Sequence, residues 1–204
     1  MKYNDLTLGQ IEAVVNKLGG MECLQRFLQD KLIVSEPIRS WHEQDDIIYF
    51  GVTSDGTTGK DWTTRLEKKG FRIGYHAKRV LLSPYFKPSN GVKTEVAVFR
   101  GSLFENRGRN TGSLRSEVDK HGFKKPNAEI SCLIREKFTD EEIEAMGLRR
   151  IEVIHESNIS FDHVPCLLGA DRDDDGRWLR TIRDRTSCEL YGFGFAYAMP
   201  SFCA

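Results

Sequence analysis

Ser54, Gly56, Thr57, Thr58, Gly59 and Lys60 lie within Ile47–Lys69, IIYFGVTSDGTTGKDWTTRLEKK. The order is an apolar strand, a Gly/Thr/Ser loop and a helix start. Such a loop holds phosphate when backbone N–H groups and a helix N-terminus point at one anion. The phosphate-loop template is G-x-x-x-x-G-K-[ST]. Aligned on Gly59 and Lys60, Ser54 replaces the first Gly and Asp61 replaces the hydroxyl that would meet magnesium. Asp61 would also repel phosphate. No later strand ends in the acidic residue that completes a nucleotide site. The expected role of residues 53–60 is a turn into a helix, with Thr58 or Asp61 as its cap and Asp61 preferred. Anion binding there through Lys60 is the competing expectation.

Asp171-Arg172-Asp173-Asp174-Asp175-Gly176 matches D-x-D-x-D-G, the first half of a calcium loop. Alternating carboxylates suit a hard cation, and Gly permits the sharp turn. The twelfth position, where a bidentate Glu belongs, is Ile182, and the ninth is Leu179. Arg172, Arg177 and Arg180 lower the negative potential. Asp171, Asp173 and Asp175 are therefore read as a solvated acidic turn capping a helix over 177–183, with no metal expected.

His42, His76, His121, His155 and His163 form no metal-ligand spacing. His155-Glu156, at the end of a strand, is the candidate acid–base pair. Asp162 and His163 follow closely, and Cys132 or Cys166 could complete a Cys/His nucleophile set. The expected role of these histidines is ordinary surface or half-buried packing. Lys60–Arg79 interleaves Lys60, Arg65, Lys68, Lys69, Arg72, Lys78 and Arg79 with Trp62, Phe71 and Tyr75. That composition suits single-stranded nucleic acid, but helical spacing assigns the aromatics to a core and the cations to solvent.

These residues need elements to place them. Thr7 and Gln10 spell a capping box, with Ile11, Val14, Val15 and Leu18 at helical spacing behind it. Gly19-Gly20 ends that helix, and a second carries Cys23, Leu24, Phe27 and Leu28. The pair reads as a packing hairpin rather than a DNA reader, because residues 1–50 hold five Lys/Arg against eight Asp/Glu. Ser35–Asp46 reads as a connector and Ile47–Val52 as a continuous buried strand. Helices are expected from Trp62 to Lys69 and over Tyr75–Leu82, then a strand over Thr94–Phe99. Leu114–Lys120 reads as a short helix. Asn127 is expected to cap a helix reaching Phe138, and Thr139 with Glu142 to box a shorter one ended by Gly147. Ile151–His155 reads as a strand and Asn158–Asp175 as mostly loop. In YGFGFAYA, Tyr191, Phe193, Phe195 and Tyr197 face one way, and Gly192, Gly194, Ala196 and Ala198 the other. The bare side needs a close neighbour. The sum is a mixed α/β fold: one domain (35–204) whose small mixed sheet of about four to five strands is flanked by helices, with an N-terminal helical hairpin (1–34) packed on it.

At 204 residues, 39% apolar and 29% charged, the composition fits a soluble globular protein. The start lacks an apolar signal-peptide core, so a cytoplasmic location is expected, with no membrane partner. Five scattered cysteines without C-x-x-C argue for reduced, structural thiols. Net charge is zero, yet residues 51–100 hold ten Lys/Arg against four Asp/Glu, and residues 151–204 five against nine. VTSDGTTGKDWTTRLEKKGF, KPNAEISCLIREKFTDEEIEAMGL and the GRWL…YGFGFAY ending together resemble a group of bacterial hypothetical proteins with no known activity, over most of the chain. The resemblance implies a bacterial, cytoplasmic, single-domain protein and carries over no site. The expected function is a binding or regulatory module for a protein or an anionic ligand, without a cofactor. An enzyme acting on a phosphorylated or nucleotide substrate, and a nucleic-acid-associated protein, are the alternatives.

Overall fold

Ile48, Phe50, Val52 and Ser54 are buried at every second position of one strand, while the residues between them are more open. The strand is thus half-buried by alternation, not buried on both faces as its apolar run implied, because it belongs to a largely antiparallel sheet. A computed structural model describes residues 7–34, 39–104, 118, 122–156, 160–161, 164–173, 175–183 and 192–199. The expected helix over Leu114–Lys120 falls largely outside them. The chain divides into two compact units, residues 1–39 and 40–204.

The first unit holds α1 (Leu8–Lys17) and α2 (Met21–Leu28). The Thr7–Gln10 capping box forms as expected. Gly19 and Gly20, both at φ above +90°, make the turn between the helices. No residue of either helix is buried.

The second unit is a mixed α/β fold built on one sheet. Its strands are β1 (His42–Gln44), β2 (Ile47–Asp55), β3 (Arg72–Ile73), β4 (Asn90–Arg100), β5 (Arg150–Val153), β6 (Ser160–Phe161), β7 (Val164–Asp173), β8 (Gly176–Arg183) and β9 (Phe193–Ala198). Eight of them run in the order β1-β2-β4-β9-β5-β7-β8-β3, and β6 pairs with β7 off that path. Neighbours are antiparallel except β5 beside β9 and β3 beside β8. Among the described residues its longer helices are α3 (Gly59–Lys68), α4 (Tyr75–Leu81), α5 (Glu129–Lys137) and α6 (Asp140–Ala145).

The sheet is larger than the four to five strands expected. β1 lies in the supposed connector, β7 in the supposed loop, and β8 replaces the supposed helix. β7 and β8 form a hairpin in which Asp173 pairs with Gly176. Trp178, Arg180 and Ile182 alternate with Arg177, Leu179 and Thr181 along β8, and this period of two was hidden by charge on both faces. Arg180 is tolerated there because Asp171, Asp173 and Asp175 meet it, and Arg177 because it reaches the Lys69 carbonyl and lies over the Phe71 ring.

One core fills the helix side of the sheet, with Trp62, Leu66, Ile130, Ile134, Phe138, Ile143 and Met146 over Ile48, Ile151 and Leu168. A second cluster on the opposite face joins Ala97, Phe99, Val118, Ile154, Leu167, Phe195 and Tyr197. β9 separates them: Phe195 and Tyr197 serve the second, Ala196 the first. Its bare side is filled as expected, since a Cβ on Gly194 would stand 2.5 Å from Val98 Cγ1 and 2.8 Å from Leu148 Cδ1. Among the described residues no helix is long and apolar enough to cross a membrane.

Candidate functional site

The loop that nearly spells a phosphate motif uses its own donors. Ser54 is not in the loop but in β2, buried, at a bulge where its hydroxyl accepts from Val92 N–H at 3.1 Å. Gly56 N–H donates to Ser89 carbonyl, and Thr57 N–H to Asp55 Oδ1. Thr58, not Asp61, is the helix cap: its hydroxyl oxygen accepts from Asp61 N–H at 3.2 Å and donates to the Asp61 carboxylate at 2.7 Å. Gly59 is needed for packing, because its Cα passes against the Leu81 carbonyl at the end of α4. Lys60 is exposed on α3. The strand–loop–helix order is as expected, but two carboxylates flank its mouth and its first donors are occupied.

Arg65 ties this loop to α5, bridging Asp55 and Glu136, and Lys69 joins Glu136 at 2.7 Å. Hydrogen bonds from Thr57 and Arg65 lower the Asp55 carboxyl to about 2. Burial pushes Glu136 up, but hydrogen bonds from Arg65 and Lys69 outweigh it and leave the carboxyl below its ordinary value. Carboxyls depressed by folding stabilise the fold fully above their unfolded values, near pH 4, and that stability is lost as pH falls toward 2. The urea midpoint is therefore expected to drop between about pH 5 and pH 2.5, and Arg65→Met to reduce that drop. An equal drop in the variant would show that these pairs do not carry the effect.

His155 is buried at the end of β5 and both ring nitrogens face backbone. Nε2 accepts from Leu168 N–H at 3.0 Å, and Nδ1 lies 2.8 Å from Glu156 carbonyl. The ring is consequently neutral, with its proton on Nδ1. Its donor, Leu168, belongs to the last β5–β7 pair, opposite Val153, so neither nitrogen is available for proton transfer to a substrate. Cys166 lines the same cavity of about 20 Å³, beside His155 and Glu156, which holds about one water. The Cys132 thiol is raised well above its ordinary value by burial and by nearby Glu129 and Glu136, which makes it a poor nucleophile. Asp162 and His163 lie outside the described residues.

The three aspartates of the cation-like motif face arginines. Register places Arg150, Asp171 and Trp178 in one row across β5, β7 and β8. Asp171 is fully buried, and its Oδ2 meets Arg150 at 2.7 Å and Arg180 at 3.3 Å. Arg180 also reaches Asp173 at 2.8 Å and Asp175 at 3.5 Å. Asp175 accepts from Trp178 Nε1 at 2.8 Å and pairs with Arg72 at 3.5 Å. Arg180 and Arg72 both stack on the Trp178 ring, at 4.2 and 5.4 Å. The helix expected after this turn is thus β8, and the carboxylates are neutralised across the sheet. Among the described residues no group of three or more His, Cys, Asp or Glu is placed to hold a metal ion. Asp174 lies outside those residues.

The basic stretch Lys60–Arg79 is similarly matched. Besides Arg65, Lys69 and Arg72, Lys78 pairs with Glu67 at 2.6 Å. Trp62 and Phe71 are buried, leaving Tyr75 as the exposed ring. This is the amphipathic pattern, with no run of exposed rings on which bases could stack.

What the sequence did not mark is a charged cleft where β5 starts and β7 ends. It has a volume of about 350 Å³ and is lined by Asp140, Arg149, Arg172 and Asp173. Among the described residues, four from three separate segments line it. Arg172 N–H donates to Arg149 carbonyl at 3.1 Å, and Arg149 N–H to Gly192 carbonyl at 2.7 Å, which fixes the two strand ends together. Arg172 Nε is held by Leu148 carbonyl at 3.2 Å. Asp140 is held by the buried Arg135 at 2.9 Å, and Asp173 by Arg180. Arg149 is 59% exposed, and its pair with Asp173 is long, at 3.4 Å. His155 and the acidic turn line different cavities, so the sequence candidates do not converge. Compared with protein-family models, curated proteins and solved structures, the chain matches none.

Proposed function

We propose that the chain is a binding module that takes a segment of a protein partner at the Asp140–Arg149–Arg172–Asp173 cleft. The supporting observation is the cleft itself: about 350 Å³, with two arginines and two aspartates on its wall. Pockets of this size hold a few residues of peptide or a small ligand. A bare phosphate near Arg149 would also meet two carboxylates, and the like-charge repulsion cancels much of the gain. A segment carrying both signs satisfies all four groups, its carboxylate on Arg149 and Arg172 and its cation on Asp140 and Asp173. Arg149 is the anchor that can turn to a ligand without breaking a short pair. The enzyme reading has lost support, since its acid–base candidate is bound to backbone on both nitrogens.

An alternating Glu-Lys hexapeptide is expected to shift the amide resonances of Arg149, Arg172 and Asp173 in the full chain, with pyrophosphate giving a weaker response. Arg149→Ala should lower peptide affinity about tenfold, the range for removing one charged interfacial contact, without moving the unfolding midpoint. Pyrophosphate binding more tightly than the peptide, with the same Arg149 dependence, would make the ligand a simple anion instead. No response to either probe would remove the cleft as a site.

A further inference from the structure

A second cavity adjoins the charged cleft across the ends of neighbouring strands. β4 ends at Arg100, β9 begins at Phe193, β5 begins at Arg150 and β7 ends at Asp173. These strands are neighbours in the order β4-β9-β5-β7. Register keeps their ends nearly level, with Arg100 opposite Gly194, Phe193 opposite Arg150 and Arg150 opposite Asp171. The charged cleft lies over β5 and β7. Over β4, β9 and β5 lies the second cavity, of about 210 Å³, walled by Gly101, Gly147, Leu148, Gly192 and Phe193. The residues entering β5 serve both, Leu148 in one and Arg149 in the other. Gly192 joins them as well. Its carbonyl accepts from Arg149 N–H at 2.7 Å, and a Cβ on it would stand 3.7 Å from Arg149 Cβ. Its φ of +75° favours glycine, so the floor beside Arg149 is bare backbone.

Charge and size identify the occupant. Among the described residues Arg100 is the one ionisable group on the wall of this cavity. Its guanidinium is already used: Nη1 and Nη2 meet Glu43, while Nε and Nη2 donate to the Met146 carbonyl at 3.3 and 2.9 Å. The rest of the wall is glycine, Leu148, the half-buried Phe193 ring and the exposed Ser102. A neutral occupant fits such a wall. The volume lies below the range of about 300–1,000 Å³ for small-molecule pockets and suits one large apolar side chain. Spacing sets where that side chain comes from. Strands lie about 4.8 Å apart, so the cavity over β9 is centred about one and a half spacings, or about 7 Å, from the cleft between β5 and β7. Alternate side chains of an extended chain are about 6.8 Å apart and point the same way.

We propose that one extended partner segment occupies both cavities, with a carboxylate on Arg149 and, two residues away, an apolar side chain the size of Leu or Phe against Leu148 and Phe193. Resting on the peptide reading of the charged cleft, this makes the chain selective for an acidic residue and a large apolar residue separated by one position.

Titrations of the full chain with three relatives of the alternating Glu-Lys hexapeptide, followed by amide resonances, test it. Phe replaces the first Glu in one, the last Glu in another and the second Lys in the third. Chain direction decides which of the first two fits. At least that one is expected to bind about tenfold tighter than the parent peptide, the gain from burying most of one apolar side chain. It should also shift the amides of Gly147 and Gly192 more than the parent does. The third should gain nothing, because an odd spacing from every Glu turns its ring to the other side of the chain. Ser102→Trp, which fills the cavity from its exposed rim, should bring the tighter peptide to within about twofold of the parent. A parent peptide that binds with no gain from either Glu replacement, an equal gain from the third peptide, or a gain that survives Ser102→Trp would overturn the second cavity and leave the charged cleft standing. No binding by any of the four peptides would remove both.

Discussion

Replacing Gly59 with alanine is expected to destabilise the 40–204 unit by about 3 kcal/mol or more, the upper range for overpacking a filled site. The added Cβ would stand 1.8 Å from the Leu81 carbonyl oxygen, 2.6 Å from its carbon and 3.2 Å from its Cα. All three are backbone atoms, so no rotamer change relieves the clash. Either α3 or the end of α4 must move, and both cover the same core through Trp62, Leu66, Val80 and Leu81. Helix propensity argues the opposite sign, since alanine is favoured over glycine in a helix by about 1 kcal/mol. Gly59 has no unusual φ that would forbid alanine. The two arguments thus separate cleanly in urea unfolding at neutral pH. Gly9→Ala in α1, where nothing lies within 4 Å, is the control for propensity alone. A neutral or stabilising Gly59→Ala would mean that α3 and α4 do not approach as closely as described. A large loss would also explain this glycine by packing, with no phosphate required.

Neutralising Asp171 is the second large effect expected. Asp171→Asn keeps the shape but leaves Arg150 and Arg180 without the charge they share at 2.7 and 3.3 Å. Removing one member of a buried ion pair costs about 3–5 kcal/mol, mostly from the uncompensated partner. Arg180 keeps Asp173 and Asp175, whereas Arg150 keeps Glu152 at the longer distance of 3.8 Å. The expected loss is therefore about 3 kcal/mol, borne chiefly by Arg150. Arg150→Met should remove the stranded charge and, on the Asp171→Asn background, recover a substantial part of that loss. A double-mutant cycle in urea measures the coupling. A single-variant loss below about 1 kcal/mol would show that water reaches the pair and screens it.

The sequence by itself determined what is set within a turn or two of chain. Thr7 with Gln10, and Thr139 with Glu142, form the capping boxes they spell. The loop after β2 leads into a helix, and the alternation of β9 separates two cores. Each outcome rests on neighbours at i+2, i+3 or i+4, a distance over which spacing is structure. The acidic motif shows where that reach ends. Asp171, Asp173 and Asp175 have the spacing of cation ligands, but whether they hold a cation or a guanidinium depends on what the register brings opposite. One partner, Arg180, lies within nine residues of all three, but only the β7–β8 hairpin turns it onto them, and the others, Arg72, Arg149 and Arg150, lie more than twenty residues away, on β3 and at the start of β5. The same holds for His155, made structural by the N–H of Leu168 on β7, and for the cleft, whose four described side chains come from three segments. Thr58 displaced Asp61 as the cap because α3 already begins at Gly59, which puts Thr58 at the cap position and Asp61 inside the first turn. Local spacing told which side chains share a face, and only the pairing of strands decided which charges those faces would meet.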